Sequence, residues 1–191
     1  AAVYTIERFG LNEDKDDIVR ENVAENPKTG SLTLEEMAEH DAVIDVKLAA
    51  LGNPNIPTRV IHRMAAGTGK RVRETIAGNI STPKTILMKS ARDRDTNVAY
   101  NVACNPNVPR EALTILAERR NIGILVAVVR NKNTPEEALA KLARNNNRNL
   151  RLLIAEHENT SRETLKFLLL KAVKEADQKL AETVRLALAK Q

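Results

Sequence analysis

The chain has 191 residues, of which 42% are hydrophobic and 2% aromatic, and it contains one cysteine. It has no signal-peptide pattern and no apolar run of membrane-spanning length, and one cysteine excludes an internal disulfide framework. We therefore expect a cytoplasmic protein whose core is built from Leu, Ile, Val and Ala. The net charge of +5 hides a division, because residues 1–47 carry 5 basic and 12 acidic side chains and residues 48–191 carry 25 basic and 13 acidic ones.

Residues 1–16 match the rest of the chain poorly, and we expect an N-terminal cap or a truncated repeat there. From Val19 onwards a pattern recurs: VRENVAENP at residues 19–27 resembles VRETIAGN at residues 72–79. A copy with one inserted residue lies between them. Self-similarity at a fixed spacing is typical of repeat proteins, in which each unit must stack on its neighbours to bury its apolar face.

The period becomes regular in the middle of the chain, where it is 26 residues. Prolines mark it at Pro57, Pro83, Pro109 and Pro135, asparagines precede each proline by four residues, and Ile or Leu follows each by four. In the last of these copies, Thr134, Pro135 and Glu137 predict a capped helix that runs to about Arg144. After the Asn145–Asn147 turn comes a second unit that we expect to be shorter, with one or two α-turns or a 3₁₀ stretch, and with Arg148 and Arg151 outside.

From Leu165 onwards the Asn-Pro punctuation is lost, and a run rich in Ala, Leu, Lys and Glu predicts longer helices with a polar outer face. The sequence therefore divides into a possible cap at 1–16, a repeat array at 17–165 and a C-terminal helical cap at 166–191 within one continuous domain.

The pattern N-P-N-x-P-x-x-x-L-x-x-x-A followed by V-R-x-x-I-A-G-N, at residues 53–79, resembles that of the leucine-rich repeat variant family. The resemblance covers roughly residues 17–165. It implies an all-α, HEAT-like solenoid, a right-handed superhelix of alternating α- and short or 3₁₀ helices without β-sheet. It also implies binding and no particular chemistry. Some members carry an N-terminal cysteine cluster for an iron–sulfur centre, but Cys104 alone cannot supply one, so we expect no cofactor.

No residue set predicts an enzyme or a metal site. The three histidines, His40, His62 and His157, fall at different repeat positions and have no Cys or carboxylate at metal-ligand spacing. The acids Asp93 and Asp95 lie at a turn, where a helix-end salt-bridge cluster is the expected role. The sequence thus predicts a non-enzymatic scaffold with no small-molecule substrate, and its oligomeric state is left open.

The first binding hypothesis is nucleic acid, because basic residues recur at the same repeat positions and stacking turns these positions into rows. Such rows suit the phosphate backbone of duplex DNA or RNA, and the near absence of aromatic residues disfavours base stacking on single strands. A soluble surface rich in Lys and Arg is the plainer interpretation. The predicted contact residues are Arg63, Lys70, Lys89, Arg92, Lys141, Arg144, Arg148 and Lys174.

The second hypothesis is a protein-binding adaptor that recognises a protein or acidic peptide through an apolar spot near the Pro109 repeat. Apolar residues there occupy positions that are charged in an earlier copy, and an apolar interruption of a polar row suits a partner pocket. Burial against neighbouring repeats is the plainer interpretation. The predicted contact residues are Tyr100, Ile122, Leu125, Val126 and Leu152.

Overall fold

A computed structural model describes residues 16–67 and 69–191, which form thirteen α-helices and no strand. The chain divides into two compact units, Ala1–Ser90 and Ala91–Gln191. Residues 1–15, most of the predicted N-terminal cap, lie outside the described residues. The predicted all-helical repeat class is confirmed, and the division at 16 and 165 stays a prediction.

The first unit contains helices that alternate between the two halves of successive repeats. They are α1 (Asp17–Glu25), α2 (Ser31–His40), α3 (Ile44–Gly52), α4 (Thr58–Met64), α5 (Lys70–Gly78) and α6 (Lys84–Ser90).

The second unit continues the alternation and ends in two long helices. Its helices are α7 (Thr96–Cys104), α8 (Arg110–Leu116), α9 (Ile122–Arg130), α10 (Glu136–Leu142), α11 (Arg148–Glu156), α12 (Arg162–Lys174) and α13 (Gln178–Ala189).

Helices from the same half of each repeat stack on one another, so each unit has two layers. In the first unit α1, α3 and α5 pack in series beside α2 and α4, and in the second unit α7, α9, α11 and α13 form the equivalent row beside α8 and α10. Each repeat therefore buries its apolar face against the repeats before and after it.

The relative lengths of the two halves correct the sequence-based expectation. Between residues 44 and 156 the second halves are full α-helices of nine residues, as at Arg148–Glu156, whereas the first halves are seven-residue helices such as Glu136–Leu142. Hydrogen bonds between residues three apart, which are typical of 3₁₀ structure, follow the end of the first-half helix α10. There Arg144 N donates to Lys141 O at 3.3 Å and Asn145 N donates to Leu142 O at 2.9 Å. The second helix starts directly after its N-cap Asn147, whose side chain accepts from Leu150 N at 3.0 Å.

The predicted cap at Thr134 is also wrong. Pro135 holds the N-cap position, and its carbonyl accepts from Ala138 N at 3.1 Å and from Leu139 N at 3.2 Å. Thr134 is completely buried and its hydroxyl donates to Val128 O at 2.5 Å. The threonine thus ties the loop back to the preceding helix, and Thr29, Thr82 and Thr160 make the same bond to the carbonyl six residues earlier.

The asparagine four residues before each proline joins one repeat to the previous one. Asn131, 9% exposed, donates from Nδ2 to Ala103 O at 2.8 Å and to Asn105 O at 3.1 Å, while its Oδ1 accepts from Asn133 N at 3.0 Å. Asn53 and Asn79 repeat this arrangement in the first unit. In the repeat that follows Asn131 the equivalent residue is His157, whose Nε2 lies 3.1 Å from Asn131 O. We call Asn53, Asn79, Asn131 and His157 the asparagine ladder.

The predicted core positions are buried. The column four residues after each proline, Ile61, Leu87, Leu113, Leu139 and Leu165, is at most 1% exposed. Arg151 departs from its predicted outward position, since it is 4% exposed, donates to Asn145 O at 3.0 Å and pairs with Glu175 at 2.6 Å. Ala99 and Leu125, at the same repeat position, are buried too, and Glu175, the C-cap residue of α12, supplies the paired carboxylate.

The C-terminal helices are long, as predicted, with 13 residues in α12 and 12 in α13. Their outer face is less polar than the sequence indicated, because Leu170 is 72% exposed and Val173 is 64% exposed. Between the two helices, Ala176 adopts a left-handed backbone with φ of 55°.

Candidate functional site

Two of the predicted basic residues of the first unit, Arg63 and Lys70, lie close to carboxylates. Arg63 contacts Glu35 at 2.6 Å and Glu39 at 2.5 Å, and Arg59 also pairs with Glu35. Hydrogen bonds from Arg59 and then Arg63 lower the pKa of the Glu35 carboxyl below its usual value. Lys70 lies 3.5 Å from Glu74. These charges are largely balanced within the protein, so a polyanion would have to compete with its carboxylates.

The same holds for part of the second unit. Lys141 pairs with Glu118 at 2.9 Å, and Arg148 grips Asp177 with two bonds of 2.6 and 2.8 Å. The Arg148 guanidinium lowers the pKa of Asp177, and the Leu180 N–H adds to this effect. The other predicted contact residues, Lys89, Arg92, Arg144 and Lys174, are exposed. Their joint role in binding phosphates stays a prediction.

Three of the five predicted apolar contact residues come together beside a groove. Tyr100 on α7 and Ile122 on α9 are each 45% exposed, and Val126 lies one turn beyond Ile122 on the same face of α9. They line a groove of about 430 Å³ between the two adjacent second-half helices. We call it the Tyr100 groove.

The groove exists because its floor is built from small side chains. Ala103 is fully buried and Ala127 is 6% exposed, and Cys104 and Gly123 add little bulk at the sides. A Cβ at position 123 would lie 3.1 Å from the Oδ1 of Asn121, the side chain that caps α9, so a larger residue there would make a tight contact with this cap. A larger residue at any of these positions would fill the groove.

The other two predicted residues lie elsewhere. Leu125 is only 4% exposed, because successive residues of an α-helix point about 100° apart and Val126 is the one that faces the groove. The assignment of Leu125 to a surface is therefore wrong. Leu152 is half-buried on α11, one helix further along the row, and does not line this groove.

One end of the groove is polar, which the sequence analysis did not predict. Arg130, the last residue of α9, and Asn131 lie there, and no described carboxylate pairs with Arg130. The Cys104 thiol beside the Tyr100 hydroxyl raises the pKa of Tyr100, and the charge of Arg130 opposes this shift. The sequence could have indicated Arg130 as a groove residue, because it lies four residues after Val126 and therefore on the same face of the helix.

An equivalent groove in the first unit has a different lining. Glu21, Glu25, Asp45 and Leu48 take the places of Tyr100, Cys104, Gly123 and Val126 around a volume of about 410 Å³. The repeat therefore creates the groove, and the exposed residues of each copy determine its chemistry.

The two acids that recur at a turn have structural roles. Asp95 caps α7 by accepting from Asn97 N at 2.8 Å, and Asp93 accepts from Asp95 N at 2.9 Å. Within residues 16–67 and 69–191, no group of His, Cys, Asp or Glu could hold a metal ion, and no helix has the length and apolarity needed to cross a bilayer.

Stacked helix pairs with a small-residue groove and without any strand in the described residues define an all-α repeat scaffold. Among solved structures, the chain is similar to a leucine-rich repeat variant described as having a novel repetitive structural motif, with a TM-score of 0.63 and 25% identity over 99% of this chain and 71% of that chain. This similarity confirms the resemblance indicated by the repeat.

Two designed armadillo repeat proteins are more distant. Their TM-scores are 0.36 and 0.24, with 14% and 16% identity, over 96% and 98% of this chain and 98% and 84% of theirs. The second was designed for modular peptide recognition. No protein-family model and no curated protein matches the sequence.

Proposed function

We propose that the protein is a non-enzymatic helical-repeat scaffold that binds a segment of a partner protein in the Tyr100 groove. The observation that carries this proposal is the exposure of a tyrosine and an isoleucine, each 45% exposed, around an apolar concavity. Large apolar side chains held on packed helices lose little conformational freedom on binding, and Tyr and Arg are enriched among residues that dominate binding energy.

Selection from a library of random dodecapeptides tests the proposal. Peptides enriched on the wild-type protein should lose binding to the variant Ile122→Asp/Val126→Asp, because two carboxylates would then line the apolar part of the groove. Leu32→Asp is the matched control, since Leu32 is 72% exposed and lies in the first unit. Absence of any enriched peptide, or equal binding to the groove variant and the control, would refute this function.

A second candidate function, binding to a nucleic-acid backbone, is supported by the turns of the second unit. Arg94 and Arg120 are 26 residues apart in successive repeats, Arg144 follows at the next turn, and all three are exposed without a carboxylate partner among the described residues. Arg92 and Lys89, both predicted contact residues, precede Arg94 along the chain. Arg94, Arg120 and Arg144 are better placed for phosphates than the ion-paired Arg63, Lys141 and Arg148.

Salt titration of duplex DNA binding tests this second candidate. Replacing Arg94, Arg120 and Arg144 by Gln should flatten the slope of log affinity against log salt by up to about three units, if each neutralises one phosphate. A variant with three other exposed cations neutralised should keep the parent slope: Lys166→Gln, Arg185→Gln and Lys190→Gln. If both variants bind as the parent does, or if no binding occurs at physiological salt, the nucleic-acid function is excluded.

A further inference from the structure

The Tyr100 groove combines an apolar part with a single cation at a defined distance. Val126 and Arg130 are four residues apart on α9, which corresponds to one helical turn, or about 6 Å along the helix axis. Ile122 extends the apolar part by one turn of α9 on the side away from the arginine, and Tyr100 lines the groove from the facing helix α7. A ligand that fills the groove therefore meets apolar side chains first and a guanidinium about 6 Å further on.

Arg130 has no ion-pair partner among the described residues, whereas Arg148 on the next second-half helix is held by Asp177. An unpaired guanidinium at the rim attracts a carboxylate and forms a bidentate pair with it, and such complementarity sets specificity more than overall affinity. The lining of the groove contains no acidic side chain.

The spacing selects the form of the ligand. In an extended peptide, side chains two residues apart point to the same side and are separated by about 6.6 Å. This matches the axial separation of Val126 and Arg130. We propose that the groove binds an extended segment of a partner protein in which an apolar residue is followed, two positions later, by Asp or Glu, with the apolar side chain between Tyr100 and Val126 and the carboxylate on Arg130. This inference rests on the proposed function of the groove.

Three synthetic decapeptides with Leu-Ser-Glu, Leu-Ser-Gln or Leu-Ser-Lys in a Gly-Ser background provide the probes. Binding is followed by NMR through the methyl signals of Ile122 and Val126, which places each peptide in or out of the groove. We expect the Glu peptide to bind at least about tenfold more tightly than the Gln peptide, and the Lys peptide to bind more weakly still. A peptide with Leu-Glu-Ser, which moves the carboxylate by one residue to the opposite side, should lose this advantage.

Variants at Arg130 test the pairing directly. Arg130→Gln should remove the difference between the Glu and Gln peptides, and Arg130→Glu should reverse the preference towards Lys. Lys132→Gln is the matched control, because Lys132 is an exposed cation two residues away that does not line the groove. An equal loss in Arg130→Gln and Lys132→Gln would show diffuse attraction and overturn the inference.

The other outcomes distinguish a failure of this inference from a failure of the proposed function, which is the binding of a protein segment in the Tyr100 groove. If the peptides shift the two methyl signals without any preference for Glu, the charge rule is wrong and the groove still binds protein segments. If neither these peptides nor library-selected peptides shift them, both fail. Shifts caused by concentrating the protein alone, or by duplex DNA, would assign the groove to a second copy of the chain or to nucleic acid, and would overturn the proposal.

Discussion

Replacing Asn131 by Ala is expected to lower the free energy of unfolding of the second unit by about 3 kcal/mol, because one side-chain amide makes several buried hydrogen bonds. The amide makes three hydrogen bonds, two donated to Ala103 O and Asn105 O and one accepted from Asn133 N. Ala103 lies in the last turn of α7, where carbonyls have no partner within the helix. At about 1 kcal/mol net for each bond, and more for a buried group left unpaired, the expected loss is about 3 kcal/mol within a range of about 2–5 kcal/mol.

Urea unfolding followed by circular dichroism measures the loss, and hydrogen exchange of the Asn133 amide reports it locally. Asn146→Ala serves as the control, because Asn146 is exposed and its side chain makes no hydrogen bond with the described residues; its effect should be close to zero. A loss below about 0.5 kcal/mol for Asn131→Ala, or unchanged exchange at Asn133, would refute the reasoning, since the ladder bond would then contribute no more than a surface contact.

Three further changes follow from the structure. Leu139→Ala, at a fully buried position, should cost about 2–5 kcal/mol in the same unfolding experiment, and a change below about 0.5 kcal/mol would contradict its place in the core. Arg148 lowers the pKa of Asp177, so the stability from this carboxylate is present above its unfolded pKa and is lost as the pH falls through the lower folded value; Asp177→Asn should therefore flatten the acid side of a stability profile below about pH 4, and an unchanged profile would exclude the contribution. His157 accepts a backbone N–H at Nδ1 at 3.0 Å, which leaves the proton on Nε2 to donate to the ladder carbonyl at 3.1 Å; nitrogen NMR should show this tautomer, and His157→Asn should change stability by less than about 1 kcal/mol.

Burial was largely predictable because it depends mainly on the position of a residue within the repeat. Leu113 and Leu139 occupy the same column, and stacking gives both the same surroundings. The groove was partly predictable for the same reason, since Tyr100 and Val126 lie in one column of adjacent second-half helices. The error at Leu125 came from grouping neighbours in sequence where the helix separates them by about 100°.

Contacts that depend on the reach of individual side chains were not predictable from the period. Arg63 meets Glu35 and Glu39 at separations of 28 and 24 residues, on either side of the 26-residue repeat. Arg151 pairs with Glu175, which lies in the C-terminal part of the chain where the repeat pattern is lost. A column reveals which residues are neighbours, but the pairing of long charged side chains depends on rotamers and on the turn geometry between helices.

The ladder bonds end on main-chain carbonyls, which every amino acid possesses. A ladder asparagine therefore recognises the backbone of the preceding repeat and is indifferent to its side chains, as the bonds of Asn53 to Ala24 O and Asn26 O illustrate. A whole 26-residue repeat can therefore be duplicated, deleted or exchanged while these hydrogen bonds to the preceding repeat are kept. The residues that line a groove can then differ between repeats, apolar around Tyr100 and acidic around Glu21, while the hydrogen bonds between repeats stay the same.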